Sequence, residues 1–393
     1  MYPEKFISIT NGITQRRWLL DANPLLSEFI SKRIGRGWIT DFRQIAKLAK
    51  FASDPNSQIE FLSIKRKNKE VLQTFLTHEN PVRDRSGKII SHSPVLGLDA
   101  LFDVQIKRFH EYKRQLLNAL HLIMVYQELL ENPSARQIPR FSIFSGKAAP
   151  GYKMAKQILD LVYALGRTFS QDPRVNTRLG VAFIENYNVS KAEIIIPAAD
   201  LSEQISAAGW EASGTGNMKL AVNGALTIGT ADGANIEMHE AVGDRWWPFG
   251  FGGQAEENEK GYDPQEIYHK DVSIRRAVDA LKDGPFADKA YERSSFGKLQ
   301  DYLIYRDPYR ILKDLKSYYE TQKKVETLFL QPNLWATAAL HNVAAMGSFS
   351  ADVAIRNYAE KIWGVEPCPP DVSILKKVRE EYSENDRCRI ACI

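Results

Sequence analysis

Apolar positions recur at three- and four-residue steps through residues 24–76, as in Leu25, Leu26, Phe29, Ile30 and Ile34, and predict a mostly helical segment. Asn23-Pro24 suits a cap followed by proline at the first helical position. Residues 79–98 break that pattern. Pro81, Asp84, Ser86-Gly87, Ser91, Ser93-Pro94 and Gly97 read as a loop. From Leu101 to Phe109 apolar residues alternate, which predicts a strand. It flows into a helix over residues 110–131 with Leu116, Leu117, Leu120, Ile123, Met124 and Leu129 on its apolar face. Strand, turn and helix recur at 141–151 and 152–168, and a strand at 178–185 ends in Asn186-Tyr187-Asn188. Residues 263–363 read as helices punctuated by Pro285, Pro308 and Pro332. Strand–helix alternation between residues 100 and 230 predicts an α/β fold, a doubly wound parallel sheet with helices on both faces.

Composition narrows this little. The 393 residues are 44% apolar and 25% charged, enough for a sizeable core without disulfides. A net charge of +4 from 52 basic and 48 acidic residues is too balanced to argue for nucleic acid. Cys368, Cys388 and Cys392 form no CxxC pair, and the histidines follow no ligand spacing, so no metal site is expected. Met1 to Lys5 lack a signal pattern and no apolar run approaches membrane-spanning length, so no membrane partner and a cytoplasmic location are expected.

Candidate chemistry concentrates in two places. The first is residues 211–237, which read as a glycine-rich turn, a short helix, an apolar strand and a second turn. In Ser213-Gly214-Thr215-Gly216-Asn217 the glycines permit close approach of a ligand to the backbone, or φ > 0. A helix starting near Asn217 would aim unpaired N–H groups at an anion. Lys219 follows within a turn. It reads as a phosphate clamp or as an amine that condenses with an aldehyde, and an ordinary solvated loop is the plain alternative. Neither a P-loop nor a dinucleotide-binding spacing is present.

The second is Lys107-Arg108-Phe109-His110-Glu111-Tyr112-Lys113-Arg114, where a strand ends. Fixed cations at a helix start are unfavourable unless an anion is present. Lys107 and Arg108 should diverge, and His110 should share a helix face with Lys113 and Arg114. His110 reads as a general base or as a structural, hydrogen-bonding histidine. Lys147 reads as a phosphate ligand or a turn lysine. The aromatic run 246–252 reads as a sugar-stacking patch or a buried corner.

Glu211 to Lys219, followed by Asn223 to Thr230 and Asp232 to Asn235, closely resembles the cofactor-lysine segment of the α-glucan (glycogen, starch, maltodextrin) phosphorylases. Lys107 to Arg114 is similar to a second stretch of that family, and Asn11-Gly12-Ile13-Thr14-Gln15-Arg16-Arg17-Trp18 to a third, with Gln15 where proline is more frequent. Glu185-Asn186-Tyr187 matches a fourth, with Asn188 where the family often has arginine. Trp210 stands where a smaller or polar residue is usual.

The resemblance implies pyridoxal 5′-phosphate (PLP) held as a Schiff base on Lys219, with Lys107, Tyr187, Trp18, Gly214, Thr215 and Gly216 around it. It implies that Arg108 and Lys113 hold the substrate phosphate, and that Asn11, Glu211, Ser213 and Gly214 face the sugar. Lys219, Arg108 and Lys113 are the expected catalytic residues. The implied reaction is reversible phosphorolysis of α-1,4-glucan to α-glucose 1-phosphate, with the PLP phosphate exchanging a proton with the substrate phosphate. Two dianions about 5 Å apart repel by roughly 13 kcal/mol at an effective dielectric of about 20, so nearby cations are required.

The resemblance further implies that residues 1–367 form the PLP-binding C-terminal half of a Rossmann-like GT-B glycosyltransferase fold, and that 368–393 are a charged tail. The family's N-terminal glucan-binding domain is expected to be absent, and it and a second copy of the chain are the expected protein partners. The competing expectations are a non-catalytic PLP- and glucan-binding half-protein, and a nucleotide-sugar glycosyltransferase, which Lys219 argues against.

Overall fold

Short apolar runs bounded by turn residues become strands in the structure, a computed structural model that describes residues 5–78, 81–83, 89–92, 96–136, 138–247, 249–252, 261–287, 289–366, 368, 371–378 and 380. Its contacts divide the chain into two compact units, Thr10–Ala351, and Met1–Ile9 with Asp352–Ile393.

In the larger unit a π-helical turn, Arg16–Asp21, precedes α1 (Pro24–Ile34). Pro24 is the first residue of α1, and the Asn23 side chain accepts the Leu26 N–H at 3.2 Å. Short 3₁₀ segments at Gly37–Ile39 and Phe42–Phe51 lead to α2 (Pro55–His78). Where the sequence predicts only a loop at 79–98, strands β1 (Pro81–Arg83) and β2 (Ile89–His92) pair antiparallel, and residues 84–88 lie outside the described residues.

The alternating region follows the expected order: β3 (Leu101–Ile106), α3 (Gln115–Glu131), β4 (Arg140–Ser145), α4 (Lys153–Gln171), β5 (Leu179–Ile184), α5 (Val189–Ala198), β6 (Leu201–Gln204), α6 (Gly216–Val222), β7 (Leu226–Gly229) and α7 (Ala234–Val242). The five strands β3 to β7 form one parallel sheet in the order β5-β4-β3-β6-β7. The chain builds outward from β3 through β4 to β5, then returns past β3 to β6. With right-handed crossovers that reversal puts α3 and α4 on one face and α5 and α6 on the other, a doubly wound Rossmann-like arrangement.

Helices α8 (Pro264–Lys270), α9 (Val272–Asp283), α10 (Ala290–Tyr305), α11 (Ile311–Phe329) and α12 (Pro332–Ala345) complete the larger unit. The aromatic run is a buried corner. Trp247, Phe249 and Phe251 are at most 7% exposed, with Phe249 against Trp335 and Phe251 against Tyr318; Pro248 lies outside the described residues. In the smaller unit, α13 (Ala351–Tyr358) runs into a π-helical turn, Ala359–Trp363, closed by Gly364 in the left-handed region. Cys368 is exposed, and most of the expected tail, with Cys388 and Cys392, lies outside the described residues. Among the described residues no helix is long and apolar enough to cross a membrane.

Charges buried under the sheet are paired. Arg140 on β4 reaches Asp103 on β3 at 2.7 Å and Glu326 on α11 at 3.2 Å. Lys65 on α2 donates to the carbonyls of Pro197, Ala199 and Asn223, tying α2 to the ends of α5 and α6. Burial pushes its ammonium down to about 8.

Candidate functional site

The reversal of strand order lies between β3 and β6, and in open α/β sheets ligands bind outside the C-terminal ends of the strands at such a point. A small cleft is found there. Its walls include Lys107 after β3, Gln204 at the end of β6 and Ser206 after it, Glu211, Gly214, Asn217 and Asp232. The ends of β3 and β4 fix the first of these. Lys107 N–H donates to Ser145 O and Phe109 N–H to Lys147 O, each at 3.0 Å. The chains pass so closely that a Cβ on Gly146 would lie 2.1 Å from Lys107 O. Along this extended edge side chains alternate: Lys107 turns inward, Arg108 is exposed and Phe109 is buried.

The helix expected from residue 110 does not start there. His110 caps a 3₁₀ turn, Glu111–Lys113, accepting the Tyr112 N–H at 3.4 Å, and its ring packs against Tyr112 and Tyr152. Arg114 then adopts a left-handed conformation, φ 57°, and α3 begins after it. His110, Lys113 and Arg114 therefore share no helix face. Arg114 is 1% exposed and turns away from the cleft, donating to Ile205 O at 2.7 Å and to Asp314 at 2.6 Å. Of the basic run, Lys107 and Lys113 face inward.

Both lysines meet one carboxylate. Glu211 pairs with Lys113 and lies 3.9 Å from Lys107, and Ser206 donates to it at 3.3 Å. Burial alone would raise the Glu211 carboxyl, but Lys107 and Lys113 outweigh it and hold the group below its usual range. Glu211 thus sits between two lysines, with the Asp232 carboxylate on the same wall. Burial pushes Lys107 down to about 8, with Glu211 opposing and Lys113 assisting. The unfolded chain thus binds more protons than the folded one between about pH 8 and 10.5, and this group makes stability rise with pH across that window.

The glycine-rich turn closes the cleft from the other side. The backbone N–H groups of Gly214, Thr215, Gly216 and Asn217 donate to no acceptor among the described residues. Neither Gly214 nor Gly216 takes the φ > 0 that the sequence allows; that conformation falls at Gly209, Gly224 and Gly233 instead. A Cβ on Gly216 would meet nothing within 4 Å, and one on Gly214 would meet only side chains at 3.6 Å and beyond. The protein's own packing does not demand these glycines, so what they leave open is room for a ligand against the backbone.

Lys219 stands in α6 on the turn after that backbone. Its ammonium lies 3.9 Å from the centroid of the Trp18 ring, with no hydrogen bond or ion pair among the described residues. Burial alone pushes it below the usual lysine range, which favours the neutral, nucleophilic amine. Asn223 holds the two residues together, its Nδ2 donating to Trp18 O at 2.7 Å and Lys219 O at 2.9 Å. Asn11 joins the turn through Ser213, its N–H donating to the hydroxyl at 3.4 Å and its amide to the carbonyl at 3.2 Å.

The structure thus brings together Lys107, Lys113 and Glu211, sets Gly214 on the same cleft wall, and places Asn11 against Ser213 and Lys219 against Trp18. Arg108 is exposed and absent from the cleft walls. Tyr187 is half-buried beyond β5, at the far end of the strand order, where burial pushes its hydroxyl up to about 12. Lys147 is exposed and absent from the cleft walls. Among the described residues no cluster of three or more His, Cys, Asp or Glu is placed to hold a metal.

Sequence reasoning missed supporting residues. Asn223 and Asp232 were visible only as members of the family-like stretch, with no role of their own; Asp232 accepts the Glu211 N–H at 2.8 Å. Gly233 sits at φ 50°, and a Cβ there would lie 2.0 Å from Glu211 O. Gly233→Ala is expected to displace the Glu211 backbone and to cost about 2 kcal/mol. Urea unfolding checks this, and an unchanged midpoint would contradict it.

Compared with known proteins, residues 1–365 match the carbohydrate phosphorylase family. The chain is 44% identical over 369 residues to the muscle-form glycogen phosphorylase of Bos taurus and, to the same extent, to the brain form of Rattus norvegicus. It is 43% identical over 376 residues to the liver form of Homo sapiens. These alignments cover 93%, 93% and 95% of this chain but only 42%, 42% and 43% of the relatives, so the chain spans less than half of their length.

Proposed function

The chain belongs to the carbohydrate phosphorylase family, and from that premise we propose that it serves the reversible phosphorolysis of an α-1,4-glucan to α-glucose 1-phosphate, with PLP as cofactor. The observation that carries the reading is the amine of Lys219. It has no polar partner among the described residues, rests on Trp18, and follows directly on a turn whose Gly214 and Asn217 line the same cleft as Lys107.

These residues fit PLP. Lys219 supplies the amine for attachment, Trp18 a flat wall beside it, and Gly214 to Gly216 an open backbone. Bound there, the cofactor supplies a phosphate group able to donate and accept a proton. The chain's own part is to make a second phosphate tolerable beside it. Lys113 and, below about pH 8, Lys107 furnish positive charge, and the exposed Arg108 adds a third cation as substrate enters. Cations placed before the reaction stabilise charge that develops as the glycosidic bond breaks, without reorganising. Glu211 keeps Lys113 aimed into the cleft and, with Ser213, Gly214 and Asn11, offers acceptors and donors to sugar hydroxyls.

The test is an assay of α-glucose 1-phosphate formation from glucan and phosphate by the PLP-loaded chain, alone and with an N-terminal phosphorylase half supplied. Product in either arm supports the reading. PLP retention with no product in both arms would establish instead a binding half without turnover.

The ionisation of Lys107 gives a pH prediction. A bound anion favours the charged ammonium, so phosphate affinity should fall as pH rises through about 8, by roughly tenfold over the step. Titrations of the PLP-loaded chain with inorganic phosphate between pH 6 and pH 10 check this. Lys107→Met should remove the inflection; its persistence in that variant would contradict the assignment.

A further inference from the structure

Trp210 immediately precedes Glu211, the carboxylate shared by Lys107 and Lys113, and stays 54% exposed. The chain buries Trp247, Phe249 and Phe251, so an open indole beside the cleft needs its own account. The ring is also fixed. Tyr112 stacks on it with centroids 6.1 Å apart and an interplanar angle of 27°, and Tyr309 meets it edge-on at 5.1 Å. The backbone is tied as well: Ala207 N–H donates to Tyr112 O at 2.8 Å, and Trp210 N–H to Ala207 O at 3.1 Å. Lys113 in turn lies 4.6 Å from the Tyr112 ring centroid. Lys113, Tyr112 and Trp210 therefore form a continuous run from the charged cleft to the surface.

We propose that Trp210 is an outer sugar platform, a specificity-determining residue that stacks on a pyranose ring of a glucan chain whose end lies in the cleft. A pyranose presents a face of C–H groups, and the electron-rich face of an indole attracts such weakly positive hydrogens while both surfaces leave water. A ring braced before binding loses little conformational freedom when the sugar arrives. The contact lies outside the reacting bond, so it selects for chain length. It rests on the glucan reading of the cleft, but a different measurement tests it.

The PLP-loaded 393-residue chain is titrated calorimetrically with maltoheptaose and with maltose. Trp210→Ala should bind maltoheptaose about tenfold more weakly, Trp210→Phe should return to within about threefold of the unaltered chain, and maltose affinity should change by less than about twofold. A general disturbance of structure would weaken both sugars and would not be rescued by phenylalanine. Equal maltoheptaose affinity in Trp210→Ala, equal losses for both sugars, or no maltoheptaose binding by the unaltered chain would each overturn the platform. Failure to retain PLP, read from its absorbance in the same samples, would instead count against the proposed function.

Discussion

The Lys219→Ala protein is expected to retain no covalently held PLP and to lose the cofactor's near-ultraviolet absorbance entirely. Where glucan phosphorolysis is measurable, the rate should fall by about 10²–10⁴-fold, the range associated with losing a positioned acid–base group. The fold should survive. The Lys219 ammonium makes no hydrogen bond or ion pair among the described residues, so its loss should change stability by less than about 1 kcal/mol. Lys219→Arg separates the two readings of this residue. A guanidinium keeps the charge and its place over Trp18 but stays protonated and does not condense with an aldehyde. If Lys219 were only a phosphate clamp, the arginine variant would keep much of the activity. The account expects it to behave like alanine.

Arg114→Ala is expected to cost about 3–5 kcal/mol, because it removes one partner of a buried ion pair and leaves the other behind. Asp314, with 12% of its side chain exposed, would lose its cation, and Ile205 O its buried donor. Ile205 leads into the segment that carries Ser206 and Trp210, so phosphate affinity should fall along with stability. Thermal and urea unfolding read the first effect. A loss under about 1 kcal/mol would mean that the burial of Arg114 is unimportant.

The contrast between Arg114 and its neighbour Lys113 marks what the sequence could reveal. Both are fixed cations in one basic run, and nothing local separates them. The separation comes from Asp314, 200 positions along the chain, which draws Arg114 into the core. Strands β3 to β5 were legible because apolar runs between turn residues carry their own boundaries. Strands β1 and β2 were hidden by a composition rich in proline, serine and glycine. The clustering of Lys107 with the 211–219 segment was an expectation from family likeness alone, since β3 and β6 become neighbours only through a reversal of winding that no local pattern marks. The bridge from Asn223 to Trp18 could not be seen, because a side-chain amide bonding to a distant carbonyl leaves no local pattern. Family likeness supplied the expectation for Trp18, and the contact itself is long-range packing. The open backbone at Gly214 and Gly216 was half legible: the glycines suggested close approach or positive φ, and only the geometry separates the two.

The most direct test of the central claim is the site of cofactor attachment. The chain is loaded with PLP, reduced with borohydride, digested and weighed by mass spectrometry. The account predicts one reduced pyridoxyl phosphate adduct, on the peptide that carries Lys219. An adduct on another lysine with Lys219 unmodified, or no stable adduct, would contradict it.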